Sequence, residues 1–181
     1  MTLSVPEYHQ YVATHMKLLY YTGIEQKLIP PAITWEAFLK LPFQRKYQCR
    51  EALYKNIYVL DNYLLEKARE LGKEEIDILE GFKRRVQSDF IILKCLTRYA
   101  IFIDSKTDAI YTVKALADPF DSFFQRFPVY CNTTIIPFNG SIIYDGFIST
   151  PGNICLGSGI SASMNDLYLQ TKKNKAIITT L

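Results

Sequence analysis

The sequence predicts an α+β protein, with an N-terminal helical part packed on a mainly antiparallel C-terminal sheet. Three observations predict it. Apolar residues recur at helical spacing through residues 1–88, whereas residues 89–181 are dominated by β-branched and aromatic runs. Charge follows the same division: residues 1–90 carry 13 basic and 12 acidic side chains, against 8 and 6 in residues 91–181. Finally, Asn139-Gly140 stands between the apolar runs VYCNTTIIPF and SIIYDGFI, the pattern of a two-residue hairpin turn.

The elements follow in order. Residues 6–22 set Tyr8, Val12, His15 or Met16, and Leu19 at helical spacing, with Pro6 suited to a first turn and Gly23 to an end. Pro30 and Pro31 then turn the chain, and Thr34 is a candidate N-cap for a short helix. Pro42 opens the next helical stretch. Residues 43–71 place Ile57, Leu60, Leu64, Leu65, Ala68 and Leu71 on one stripe, with Gly72 as a stop. Residues 74–87 repeat the pattern with Ile76, Leu79, Phe82 and Val86. Acids crowd the start and Lys83, Arg84 and Arg85 the end, as a helix dipole favours.

From residue 89 the period changes. FIILKCLTRYAIFID reads as one long strand, or as a short helix followed by a strand over Tyr99–Asp104. The loop Ser105–Asp108 leads to a further strand in AIYTVKAL, and DPFDSFFQRFP to a short helical or irregular crossing that ends at Pro128. In the Asn139-Gly140 hairpin, Phe138 faces Ser141, Ile136 faces Ile143 and Thr134 faces Asp145. Pro137 has no N–H to offer a third strand, so residues 129–138 are expected at a sheet edge, at least near Pro137. A last helix capped by Ser158 or Ser161 carries Ile160, Met164, Leu167 and Tyr168, and AIITTL closes as a strand.

The 181 residues suit a single domain, 1–181, mainly helical over 1–88 and mainly β with one late helix over 89–181. A net charge of +3 is too small to announce a nucleic-acid or membrane-surface partner. MTLSVPEYHQ has no basic start followed by an apolar run, and the longest apolar stretch falls far short of the ~18 residues of a membrane span. A cytoplasmic location is the expectation. Cys49, Cys95, Cys131 and Cys155 are 46, 36 and 24 residues apart, so no CxxC pair exists. They read as small buried hydrophobes in a reducing compartment. No cofactor is expected.

Two places carry candidate chemistry. Asn153, Gly157, Ser158, Gly159 and Ser161 cluster at a helix start, where free N–H groups and hydroxyls can hold an anion. The cluster matches neither GxxxxGK[ST] nor GxGxxG. Asp145 lies inside an apolar strand run before Gly146, read either as an exposed or loop-satisfying residue before a β-bulge glycine or as a group that orients a bound hydroxyl or metal. His9 and His15 fall on different helix faces, which argues against joint metal ligation. Arg45, Lys46 and Arg50, and the triplet Lys83 to Arg85, read as solvated helix faces. The carboxylates from Glu66 to Glu80 have no histidine among them, so no metal site is expected.

The run PFNGSIIYDGFI, with Tyr99 to Phe102 and Tyr111 to Val113 upstream, resembles a hairpin pattern of prokaryotic proteins described as hypothetical. The resemblance spans roughly residues 95–181. It implies a shared hairpin design for Asp145, Gly146 and Gly157, and no activity.

The functional expectation is a non-catalytic binding or regulatory protein acting through a protein partner, by a tyrosine-rich patch or a free edge at 129–138. The alternative is an enzyme or small-ligand domain that uses Asp145 with the 153–163 loop on an anionic molecule. Nucleic-acid and membrane binding are not expected. The sequence does not set the oligomeric state.

Overall fold

A computed structural model describes residues 2–151 and 157–181 of the chain. It has N-terminal helices followed by a five-stranded, mainly antiparallel sheet, the predicted α+β class. The chain divides into two compact units: Pro6–Lys83, and Arg84–Leu181 joined by the first five residues.

The helical unit holds α1 (Val5–Glu25), α2 (Trp35–Leu39), α3 (Phe43–Lys55), α4 (Tyr58–Glu66) and α5 (Lys73–Gly81). Thr34 caps α2 as expected, its hydroxyl accepting the Ala37 N–H at 3.2 Å. Gly23 does not end α1. It sits inside the helix because the chain returns against it: a Cβ there would stand 2.8 Å from Ile29 Cδ1 and 2.9 Å from Cys49 Sγ.

The stripe expected over residues 43–71 breaks at Asn56, whose φ of −132° and ψ of 78° are not helical. An asparagine side chain competes for backbone hydrogen bonds and tolerates such a break. The restarted α4 turns Val59, Leu60 and Tyr63 inward and leaves Leu65 outside the core, 79% exposed. Phe82, in a 3₁₀ turn after α5, is fully buried, with ring centroids 4.8 Å from His15, 6.4 Å from Tyr11 and 6.5 Å from Tyr54.

The second unit is a closed barrel. Its strands are β1 (Val86–Cys95), β2 (Ala100–Asp104), β3 (Ile110–Lys114), β4 (Val129–Phe138) and β5 (Ser141–Ser149). Their order is β1-β2-β3-β5-β4, closed by β4 against β1. All pairs are antiparallel except β3 with β5. This strand order, with a short helix α6 (Phe120–Phe123) between β3 and β4, is the Greek-key connectivity of OB-type barrels.

Residues 86–104 form neither one long strand nor a helix and a strand. They make a hairpin, turned where Leu96 N–H donates to the Tyr99 carbonyl at 2.8 Å.

The Asn139-Gly140 turn forms with φ values of 45° and 69°, both in the left-handed region that the two-residue loop requires. Phe138 faces Ser141 and Ile136 faces Ile143, as expected. Thr134 does not face Asp145, because the register shifts between Thr133 and Ile135, and Thr133 pairs with Ile148. Nor is β4 an edge. Val86 to Ile92 of β1 pair with Ile135 to Val129 along its other side. Pro137 lies beyond the last of those pairs, so its missing N–H is tolerated.

The barrel interior is packed with rings. Phe120 of α6 is fully buried, 5.2 Å from both Phe102 and Tyr144, and Phe90 contacts Phe102 and Tyr111. The opposite faces of β1, β2 and β3 present Ile91, Leu93, Ile101, Ile103 and Ile110 to a second cluster. Met164, Leu167 and Tyr168 of α7 (Ser158–Lys173) cover it. Two sequence expectations for α7 fail: its N-cap is Gly157, and Ile160 is 48% exposed rather than on the buried stripe. Residues 176–181 form no full strand. Ile178 alone bridges Tyr111, donating to the Ile110 carbonyl at 2.8 Å and accepting from Thr112 at 3.0 Å.

Candidate functional site

Asp145 is 1% exposed, and its Oδ1 accepts the Phe147 backbone N–H at 3.0 Å. Between them Gly146 has a φ of 95°. A strand that bulges in this way leaves an N–H out of the ladder, and a carboxylate two residues earlier satisfies it. Asp104 does comparable work at the β2–β3 turn. It is buried, and its Oδ1 accepts from Ser88 Oγ at 3.0 Å and from Lys106 N at 2.9 Å. Sequence reasoning passed over Asp104. Its signal was the loop SKTD directly behind a strand-ending aspartate.

The helix-start candidates lie in a different setting. Gly157 and Gly159 are exposed, and Ser161 is half-buried with its hydroxyl donating to the Gly157 carbonyl at 3.2 Å. That hydroxyl closes the first turn of α7 on itself. Ser158 opens α7, but its side chain, like all of Asn153 and Cys155, lies outside the described residues.

His15 is 1% exposed within the aromatic cluster of the helical unit, and the Tyr11 hydroxyl is 3.2 Å from its Nδ1. Arg50 is not on a solvated face. It is fully buried, with its guanidinium 4.7 Å from the Tyr54 ring centroid and 5.4 Å from that of Tyr47, and it is ion-paired with Glu51. Cys49 and Cys131 are buried and Cys95 is half-buried. Burial, then the Asp89 charge, pushes the Cys131 thiol up to about 12, and burial, then Asp121, pushes Cys95 up to about 11. Thiols so shifted are poor nucleophiles at neutral pH. Among the described residues, no group of three or more His, Cys, Asp or Glu side chains is placed to hold a metal ion, and no helix is long and apolar enough to cross a membrane.

The helical unit contains a concave surface that sequence reasoning missed. A cleft of about 310 Å³ lies between α1, α4 and the start of α5, lined among others by Tyr20, Tyr21 and Tyr63. The Tyr21 and Tyr63 rings stand 5.0 Å apart at 59°. Lys17 and Lys67 reach the same cleft, paired with Glu75 at 3.1 Å and Glu70 at 3.0 Å. Glu75 also accepts the Gly72 N–H at 3.1 Å, which fixes the start of α5. Its carboxyl is held below the usual range, first by that bond and then by Lys17.

Comparison of the chain with family models, with curated proteins and with solved structures yields no match. The likeness to OB-type barrels is therefore one of strand order, and strand order alone does not carry a function.

Proposed function

We propose that the chain is a non-catalytic binding or regulatory protein of the cytoplasm that acts through a protein partner, with its barrel as a rigid framework. The observation that carries the reading is on α4, where Tyr58 and Leu65 are 74% and 79% exposed. Seven residues apart, they stand on one side of the helix. An aromatic and a leucine exposed on one side of a helix, two turns apart, are the kind of anchors that a protein interface buries at its centre.

The groups with reactive chemistry support the same reading, because their bonds are structural. Asp145 holds a bulge, Asp104 holds a turn, and His15 packs in a cluster of rings. OB-type barrels take extended ligands on the face of strands 2 and 3. Here Met164, Leu167 and Tyr168 occupy that side, which weighs against oligonucleotide binding there.

A photo-crosslinking side chain placed at Tyr58 tests the proposal in the native host. The expected result is one discrete crosslinked protein, lost when Leu65→Ser is added and absent with the crosslinker at the exposed Lys106. No discrete product, or one equally strong from Lys106, would overturn it.

A further inference from the structure

The helical unit exposes four large apolar side chains among the described residues, and they fall in two pairs. Tyr58 and Leu65 are the pair on α4. Leu39 and Phe43, 42% and 56% exposed, stand where α2 ends and α3 begins. Lys46 ties that corner together, its ammonium donating to the Leu39 carbonyl at 2.7 Å. Phe43 is braced on one face. Its ring stacks on Tyr47 at 6.3 Å and 26°, and the buried Arg50 guanidinium lies 5.4 Å from the Tyr47 centroid and 4.7 Å from that of Tyr54. An exposed ring at the end of such a column has little freedom left to lose on binding, which suits it as an anchor.

The two pairs sit among charges of opposite sign. Around the corner, none of Lys40, Arg45 and Lys46 is ion-paired with a carboxylate, whereas Lys17, Lys67 and Lys83 of the same unit each are. Helix α3 carries Arg45, Lys46, Arg50 and Lys55 against Glu51. Helix α4 carries Asp61 and Glu66 and no cation. Asp61 comes three residues after Tyr58 and four before Leu65, so the exposed pair brackets a carboxylate on one side of the helix. The Lys83 ammonium, 2.7 Å from Asp61, is shared with Glu80 at 3.0 Å, so one cation answers two carboxylates.

We propose that the α2–α3 corner of one copy of the chain receives the α4 face of a second copy. Leu39 and Phe43 cover Tyr58 and Leu65, and the cations of the corner meet Asp61. The inference rests on the reading of α4 as a partner-binding face and names the partner. Like-to-like pairing is disfavoured by sign: two corners would oppose their cations, and two α4 faces would oppose Asp61 to itself. Two apolar pairs and a few charges make a small contact, so the association is weak.

Sedimentation velocity of the full chain, from about 10 µM to about 1 mM, reads the association. Wild type is expected to self-associate with a Kd on the order of 100 µM, weakened at least about threefold between about 0.05 M and about 0.5 M salt. Lys40→Glu with Arg45→Glu removes the corner, and Asp61→Asn with Leu65→Ser removes the face; each double variant is expected to weaken association at least about tenfold. Each keeps the surface that the other lacks, so their equimolar mixture is expected to associate where neither does alone. All four positions are exposed, and Arg45→Glu or Leu65→Ser alone serves if a double variant lacks a native circular dichroism spectrum. A wild-type chain that is monomeric at about 1 mM, a folded variant that associates like wild type, or a mixture that stays monomeric would sink the inference. A monomeric chain whose Tyr58 crosslinks a different protein in the host also sinks it, and leaves the partner-binding role of α4 standing.

Discussion

Asp145 Oδ1 and the backbone N–H of Phe147 meet at 3.0 Å across a glycine whose φ is 95°. The bond sits where β5 changes register with β4. Replacing Asp145 by Ala removes this acceptor from the buried Phe147 N–H, at a cost of about 1–3 kcal/mol. Gly146→Ala meets both an unfavourable φ and Leu116 Cδ1 at 3.3 Å from its new Cβ, and costs about 1–2 kcal/mol. Urea midpoints read both losses. An Asp145→Ala chain as stable as wild type would remove the structural role assigned to this carboxylate.

The barrel depends on its ring plug. Phe120 is fully buried against Phe102 and Tyr144. Phe120→Ala is expected to destabilise by about 3–5 kcal/mol, seen as a lower thermal midpoint. An unchanged midpoint would mean that α6 does not close the barrel.

Helix α7 is held mainly by Tyr168, which is 4% exposed, with the Lys94 ammonium 4.2 Å from its ring centroid. Tyr168→Ala should cost about 3 kcal/mol and raise amide exchange throughout α7. Lys94→Ala should cost only about 0.5–1 kcal/mol. A Lys94 effect equal to that of Tyr168 would shift the weight from packing to charge.

The thiols set an alkaline limit. Cys131 titrates at about 12 in the folded chain and near 8.5 when unfolded. The folded state holds its proton longer, so this contribution is complete below about 8.5 and is lost as pH rises toward 12. Thermal midpoints should fall above about pH 9, less steeply in Cys131→Ala, and native Cys131 should resist thiol reagents. Rapid modification of Cys131 in the folded chain would contradict its burial.

At the acid end the sign is reversed. The Glu75 carboxyl is lowered by the Gly72 N–H and Lys17, so its contribution is present above its unfolded value and is lost as pH falls through its folded one. Glu75→Ala should cost about 1 kcal/mol at neutral pH and nothing at a pH where the carboxyl is protonated. A loss that persists undiminished in acid would point to packing rather than charge.

What could be read from residues alone followed the range of each cause. The Asn139-Gly140 turn and the Thr34 cap were legible because both work within four residues. The β4 edge was misread because the strand that pairs with it, β1, comes some forty residues earlier, beyond any local pattern. Leu65 and Ile160 were misassigned because spacing tells which residues share a side of a helix and not where the surface covering that side ends: Leu65 lies in the last turn of α4 and Ile160 in the first turn of α7. Arg50 looked solvated because the rings that shield it count as ordinary aromatics until the backbone folds. Asp145 stands out in the sequence because a carboxylate inside an apolar run is rare, and its bond to the Phe147 N–H fits the loop-satisfying alternative and not the exposed one, at 1% exposure. The tyrosine cleft had no signature, since its walls come from positions 20, 21 and 63.

The clasp between β1 and β4 links residues as distant as Asp89 and Asn132, 43 positions apart. Contacts of that span cannot help until the intervening chain has been gathered in, so they form late and against entropy. Refolding of the barrel should therefore run on a scale of about milliseconds to seconds, while the helices, built on near neighbours, settle far sooner. The slower half of the molecule sets how long its sticky ribbons stay open to strangers.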